Sequence, residues 1–274
     1  MGLEKIHHLI RYIEDHYHEE LSIEKLEDLS NYSYRNVQRI FKSIFNESIG
    51  AFQKRLKLEN GYKKLIYSRQ SITDIAYSVG FESLHSFSKS FKKQFQLSPE
   101  KARKEKEGIF EGFIKNTSEE KKTISYELVF LKQLKVFYLG AQAKDYELRE
   151  IDQLWDRIDE AFDDYLNVQY YGIIVDQPLI TEKIKCRYEA CIDQDPQDQA
   201  FSSTYIFGAR YAKYVHNGSF DLIEDTYRQI YKDWLFHAAL EFDNTPMIEH
   251  YLKNEYHTEN PEDYVTEILV PIKK

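Results

Sequence analysis

Apolar positions in the first hundred residues recur at helical spacing, and the recurrence happens twice. Ile23, Leu26 and Leu29 form the inner stripe of a short helix, Asn31-Tyr32-Ser33 a turn, and Val37, Ile40, Phe41 and Phe45 the inner face of a second helix. About fifty residues on, Ile72, Ile75 and Val79 repeat the first stripe. Gly80 stands in the turn, where positive φ is often required, and Leu84, Phe87, Phe91 and Phe95 supply the next inner face. Ser22 to Leu26 is echoed by Ser71 to Ile75 at an offset of 49, and Arg39 to Phe45 by Lys89 to Phe95 at an offset of 50. Constant spacing between paired helical patterns predicts a duplicated helix-turn-helix. Ile49 to about Tyr67 reads as one long connecting helix despite Gly61. Its nineteen residues span about 28 Å, near the ~34 Å between successive major grooves on one DNA face.

Beyond a polar stretch from Lys104 to Lys122 the period changes. Ile109, Phe110 and Phe113 within that stretch predict that part of it docks, while the rest serves as a linker. Short aromatic or β-branched runs then follow: Ile124–Phe130, Val136–Ala143, Tyr170–Val175, Ile184–Cys191, Ala209–His216, Met247–Leu252 and Val265–Ile272. Helical patterns at Ile151–Tyr165 and Phe220–Leu235 fall between them. The expected fold is multidomain, with an all-α N-terminal domain (1–107), a linker (108–122) and an α+β domain (123–274). In the last, helices cover one face of a sheet that is itself internally duplicated.

Charge separates the same halves. The net charge of -9 hides 20 Lys and Arg against 16 Asp and Glu from Met1 to Lys115, and 17 against 30 thereafter. Between Ser30 and Lys106 there are 16 basic and 6 acidic residues, so positive charge concentrates on the duplicated segment and a polyanion is its natural partner. Arg35, Gln38, Arg39 and Lys42 lie on the outward side of the first copy; His85, Ser88, Lys89 and Lys92 do so in the second. Arg and Gln can form paired hydrogen bonds to guanine and adenine edges, while Lys and Ser suit guanine or phosphate. The predicted partner is double-stranded DNA, read in its major groove.

Other chemistries lack their motifs. Cys186 and Cys191 match neither a CxxC pair nor a zinc knuckle, and His7, His8, His16 and His18 give no HExxH arrangement. No metal or cofactor is therefore expected. There is no GxSxG, P-loop or GxGxxG, which argues against an enzyme. With no apolar run of membrane-spanning length and no signal peptide, the expectation is a cytoplasmic protein without membrane contact.

The stretches Asn31-Tyr32-Ser33 through Val37-Gln38-Arg39-Ile40-Phe41-Lys42, Ile72 to Ala76, Gly80-Phe81-Glu82-Ser83, and Phe87 through Phe91-Lys92 to Ser98-Pro99 resemble the DNA-binding domain of AraC/XylS regulators. The resemblance covers Ile6 to Arg103. It implies that Arg35, Gln38 and Arg39 read bases in the first motif and Leu84, His85 and Lys89 in the second. Leu84 departs from the polar residue often found there, and Lys89 stands where Arg is common. The first motif is therefore expected to supply most of the sequence discrimination, and the second affinity and register.

Cys186-Arg187-Tyr188-Glu189-Ala190-Cys191, Ala209 to His216 with Gly218-Ser219-Phe220, the Tyr227–Trp234 helix, Pro246 to Tyr251 and Thr266 to Ile272 resemble GyrI-like effector-binding domains. That resemblance implies two βαββ units forming a cleft for a lipophilic small molecule, with Glu249 at its floor. A carboxylate among Trp155, Tyr171, Tyr188, Trp234 and Tyr251 suits a hydrophobic cation; the alternative is that Glu249 holds a structural hydrogen bond and that each aromatic is core. Together the resemblances imply a ligand-responsive transcription regulator, an activator by family precedent, with RNA polymerase as a further partner. The alternatives are a small-molecule hydrolase in the second domain, or a protein-interaction module without ligand.

Overall fold

The computed structural model describes residues 3–114, 124–142, 146–161, 166–198, 200–206, 208–236, 240–243 and 245–273. Backbone contacts divide the chain into two units, Met1–Glu105 and Lys106–Lys274.

The first unit is helical: α1 (Leu3–Asp15), α2 (Ile23–Ser30), α3 (Tyr34–Phe45), α4 (Ile49–Tyr67), α5 (Ile72–Ser78), α6 (Leu84–Phe95) and α7 (Pro99–Lys104). Serines start most of these helices. The side chains of Ser22, Ser48, Ser71, Ser83 and Ser98 each accept a hydrogen bond from the amide three residues on, satisfying an otherwise orphaned donor for about 1 kcal/mol apiece. Asn31, Asn46 and Gln96 end α2, α3 and α6 in the left-handed conformation.

The aromatic stripes pack inward. Val37, Phe41 and Phe45 join Leu9, Ile13, Leu26 and Phe52, while Phe87 and Phe91 are fully buried and Phe91 lies 5.1 Å from the Tyr62 ring. The long helix α4 has the extent that its periodicity predicts. Gly61 does not interrupt it, because the missing side chain admits the Phe87 ring; a Cβ there would lie 2.8 Å from that ring. Arg55, buried in α4, bridges Glu47 at 2.7 Å and Glu59 at 3.2 Å. Gly80 takes φ +81° as its place in the turn predicts, and a Cβ added to it would stand 2.0 Å from the His18 carbonyl oxygen.

Two positions depart from the expected stripe. Ile23 is 51% exposed and Leu84 38% exposed. Ile23 and Leu84 are the first residues of their helices, where the inward face is not yet enclosed. Ser30 is buried in α2 instead, its hydroxyl donating to the Leu26 carbonyl.

The second unit opens with α8 (Lys106–Ile114), in the first part of the expected linker. Phe110 is fully buried against Tyr231 and Trp234 of α10 (Ile223–Phe236), its ring 5.0 and 5.8 Å from theirs. The remainder of that stretch, 115–123, lies outside the described residues.

Eight antiparallel strands follow among the described residues: β1 (Glu127–Leu131), β2 (Leu134–Gln142), β3 (Tyr170–Ile174), β4 (Arg187–Ile192), β5 (Ser202–Ile206), β6 (Ala209–Asn217), β7 (Met247–Lys253) and β8 (Val265–Pro271). Their order is β1-β6-β8-β7-β3-β4-β2-β5. The halves β2-α9-β3-β4 and β6-α10-β7-β8, with α9 at Leu148–Ala161, are two βαββ units that meet where β3 pairs with β7. The ladder from Glu127↔Lys213 to Leu131↔Ala209 keeps its register through Leu134↔Ile206 to Tyr138↔Ser202. One continuous ribbon thus joins both ends of the sheet and curls it.

One face carries the helices: Leu139, Tyr170, Tyr188 and Ile192 pack with Leu154 and Ile158 of α9. The other lines the inside of the curl, where Tyr138, Tyr171, Ile173, Tyr211, Ile248 and Leu269 meet. Strand β5 was not anticipated. The expected strand at Ile184–Cys191 begins only at Arg187, after a 3-10 turn at Lys183–Lys185, and the helix expected from Phe220 opens with a 3-10 turn to Leu222. For the helix expected at Ile151–Tyr165, residues 162–165 lie outside those described.

Candidate functional site

Helix α9 packs over β2 and β4, and α10 over β6, which leaves β3 and β7 between them at the middle of the sheet. There Glu249 on β7 lies directly across from Gly172 on β3. Glu249 is 6% exposed. Its Oε1 accepts from the Tyr227 hydroxyl of α10 at 2.8 Å, and its Oε2 accepts from Tyr251, two residues along the same strand and therefore on the same face.

The Tyr251 hydroxyl lies 2.7 Å from that of Tyr188. Tyr251 gives its one proton to the carboxylate, so Tyr188 donates to Tyr251 and the donors run from Tyr188 through Tyr251 to Glu249. Trp155 of α9 and Phe220, at the start of the α10 segment, meet the Tyr251 ring edge-on at 5.5 and 5.3 Å. Half-buried Trp155, Phe220, Tyr227 and Tyr251 thus surround the buried acid.

Gly172 makes this arrangement possible. A Cβ on it would stand 2.2 Å from the Tyr188 hydroxyl oxygen and 2.9 Å from that of Tyr251.

Burial pushes the Glu249 pKa up, and the Tyr251 and Tyr227 hydroxyls pull it only part of the way back. Burial, followed by the charge of Glu249, holds Tyr227, Tyr188 and Tyr251 well above the usual tyrosine value, so they remain donors. Among the described residues the carboxylate meets no cation. Partial burial raises the pKa of Asp152 on α9, one turn before Trp155, and so do Asp156 and Asp221. The arrangement offers aromatic faces around a buried carboxyl whose two oxygens are held by tyrosine hydroxyls and which no cation among the described residues pairs.

Of the residues expected to bind ligand, Glu249, Trp155, Tyr188 and Tyr251 come together. Tyr171 and Trp234 do not. Tyr171 falls on the opposite face, stacked on His250 inside the curl at 4.5 Å, because adjacent residues of a strand alternate faces. Trp234 lies two turns beyond Tyr227 on α10, stacked on Phe242 at 4.8 Å with its N–H donated to the Leu240 carbonyl. Tyr227, Phe220 and Gly172 were not anticipated. A lone glycine in the run Tyr-Tyr-Gly-Ile-Ile does signal close approach, and Tyr227 falls four and seven residues before Tyr231 and Trp234, on one helical face.

In the first unit, Arg35, Gln38, Arg39 and Lys42 are exposed on α3. Their spacing of three, four and seven places them on one stripe. His85, Ser88, Lys89 and Lys92 repeat that spacing on α6, with Ser88 half-buried and the others exposed; Leu84 precedes them at the helix start. The two copies therefore present matching rows.

Comparison with known proteins agrees with both parts. A helix-turn-helix domain family matches residues 27–105, and the GyrI-like small molecule binding domain family matches residues 124–273. The multiple antibiotic resistance protein MarA of Salmonella typhimurium is 35% identical over 98 residues, which is 36% of this chain and 77% of MarA. The regulator MtrA of Neisseria gonorrhoeae is 36% identical over 101 residues, 37% of this chain but only 34% of MtrA. Among solved structures, the DNA-binding domain of AdpA in complex with a target DNA is 21% identical, covering 38% of this chain and 95% of that one at a TM-score of 0.36. SAV2435 bound to tetraphenylphosphonium is 16% identical, covering 55% and 94% at a TM-score of 0.42. No helix among the described residues is long and apolar enough to cross a membrane. The chain belongs to the AraC-type DNA-binding transcription regulators, with a GyrI-like small-molecule-binding domain as its second part.

Proposed function

We propose that this regulator responds to a lipophilic cation held over Glu249, and that it binds DNA sequence-specifically through the exposed rows of α3 and α6. The observation that carries the ligand class is a buried carboxylate that two tyrosine hydroxyls satisfy but that no cation among the described residues neutralises. A large aryl cation fits this chemistry: it brings the missing charge, and its apolar surface meets Trp155, Phe220 and Tyr251. Binding favours the ionised carboxylate, which ties the ligand to the position of Tyr227 and so to α10.

In the first unit, Arg35, Gln38 and Arg39 read base edges, His85 and Lys89 hold the second groove, and Lys42 and Lys92 serve phosphates. Ligand occupancy then shifts promoter binding or contact with RNA polymerase in the cytoplasm, in the direction of activation. The second domain acts here by binding rather than by turnover.

Tetraphenylphosphonium and neutral triphenylphosphine oxide serve as probes, with the tryptophan fluorescence of the full chain as readout. The cation is expected to bind and the neutral compound to bind far more weakly. Glu249→Gln should lower affinity for the cation by at least about tenfold, since loss of one partner of a buried charge pair is costly. Equal affinities for both compounds, or an unchanged affinity in Glu249→Gln, would refute the assignment. Recovery of the probe unaltered after long incubation is expected of a binding site, and its conversion would favour an enzyme.

A further inference from the structure

Helix α8 carries two glycines that its packing does not require. Gly108 and Gly112 are exposed, and a Cβ on either would meet no neighbouring group within 4 Å. Each lowers the helix equilibrium by about two- to fivefold against alanine, and an isolated helix of nine residues is marginal in water in any case. What holds α8 is therefore its docking on α10. Phe110 is fully buried against Tyr231 and Trp234, Phe113 lies 6.0 Å from the Tyr231 ring and beneath the Arg228 guanidinium, and the Lys106 ammonium lies over Trp234.

That docking surface is one helical turn from the buried acid. Tyr227 donates to Glu249 at 2.8 Å, and Tyr231, four residues on along the same face of α10, meets Phe110. The Tyr231 hydroxyl accepts from Gln177 at 2.7 Å and lies 3.7 Å from Sδ of Met247, which shares a face of β7 with Glu249. Successive turns of one helix thus hold Glu249 and Phe110. At its other end α8 follows α7, the last helix of the first unit, with only Glu105 between them.

We propose that α8 is a conditional helix whose docked population rises when the cleft over Glu249 is occupied, and that its docking carries ligand occupancy to the DNA-binding unit. The inference rests on the reading of that cleft as the effector site. A cation over Glu249 fixes the carboxylate, and with it Tyr227 and the turn of α10 that presents Tyr231. Phe110 then seats on a surface already ordered, so the ordering of α8 costs less.

Amide hydrogen exchange of the full chain reads the docked population of α8. Saturating tetraphenylphosphonium should slow exchange across residues 106–114 by about fivefold or more. Gly108→Ala combined with Gly112→Ala fills open space, and should slow the same amides by roughly four- to twenty-five-fold without any probe. For a duplex selected from a random library, the parent chain should change affinity when the probe is added, and the double alanine variant should show the probe-saturated affinity in its absence. Phe110→Leu keeps an apolar side chain but loses the ring contacts; it should still bind the probe while exchange in α8 and affinity for the duplex no longer respond. Bound probe that leaves α8 exchange or duplex affinity of the parent unchanged, or a full response in Phe110→Leu, would overturn the role of α8 and leave the cleft intact. Failure of the parent to bind the probe would overturn the effector site itself, and this inference with it.

Discussion

Gly172→Ala tests whether the close fit beneath Glu249 holds the site together. The added Cβ would stand 2.2 Å from the Tyr188 hydroxyl oxygen, 2.8 Å from Cζ of the same ring and 2.9 Å from the Tyr251 hydroxyl oxygen, where ordinary contact begins near 3.4 Å. The Tyr188 hydroxyl must therefore retreat by about 1.2 Å, the difference between 3.4 and 2.2 Å. It has nowhere to go: Tyr188 is 1% exposed, and its ring is packed among Leu139, Leu154 and Ile158. Overpacking of this kind costs about 1–3 kcal/mol, and the stretched 2.7 Å bond to Tyr251 adds up to about 1–3 kcal/mol for a buried hydroxyl left unpaired. We expect a loss of about 3 kcal/mol together with weaker binding of tetraphenylphosphonium. Both tryptophans of the chain, Trp155 and Trp234, belong to the second unit, so fluorescence-monitored guanidinium unfolding of the full chain reports this unit. The expected sign is diagnostic. Alanine in an open strand position would stabilise by roughly 0.5–1 kcal/mol, so unchanged or increased stability would refute the close packing. Adding Tyr188→Phe, which deletes the oxygen nearest the new Cβ, should recover part of the loss.

Glu249→Gln should stabilise the second unit at neutral pH. A carboxyl whose pKa rises on folding contributes stability that is complete below its unfolded value, near 4.5, and is lost as pH rises through the folded value. The advantage of the variant should therefore shrink as pH falls toward 4.5, and parallel stability–pH profiles for the two proteins would contradict the raised pKa. Arg55→Ala should cost the first unit about 3–5 kcal/mol, because it leaves Glu47 and Glu59 without the buried guanidinium between them. Unfolding followed by far-UV circular dichroism would show this as an early loss of helical signal; an unshifted transition would rule the triad out as a stabilising element.

The helical half was legible because its information is local. Leu26, Val37 and Phe41, repeated about fifty residues later as Ile75, Phe87 and Phe91, carry the 3.6-residue period, and the serines that open the helices cap through amides only three residues away. The sheet was less so. Strand β5, Ser202-Ser-Thr-Tyr-Ile206, has a weak apolar pattern and exists as a strand through its ladder with β2, more than sixty residues earlier in the chain.

For the site the division is sharper. Glu249, Trp155, Tyr188 and Tyr251 were identifiable as candidates from residue type and from resemblance to a family. Tyr170 and Tyr171 are the same residue side by side, and no property of either says which faces the helices. The pairing of Tyr170 with Tyr251 and of Tyr171 with His250 decides it, since a step of one residue turns a side chain to the other face. The sequence by itself determined the two-part organisation, the duplicated helix-turn-helix and the chemical types available for a ligand. Only the tertiary structure decided which tyrosines hold the carboxylate, that Gly172 must stay bare beside them, and that Leu84 stands out in solvent. Helical period and capping act within one turn of chain, whereas strand register and the facing of a side chain are set by partners distant in sequence.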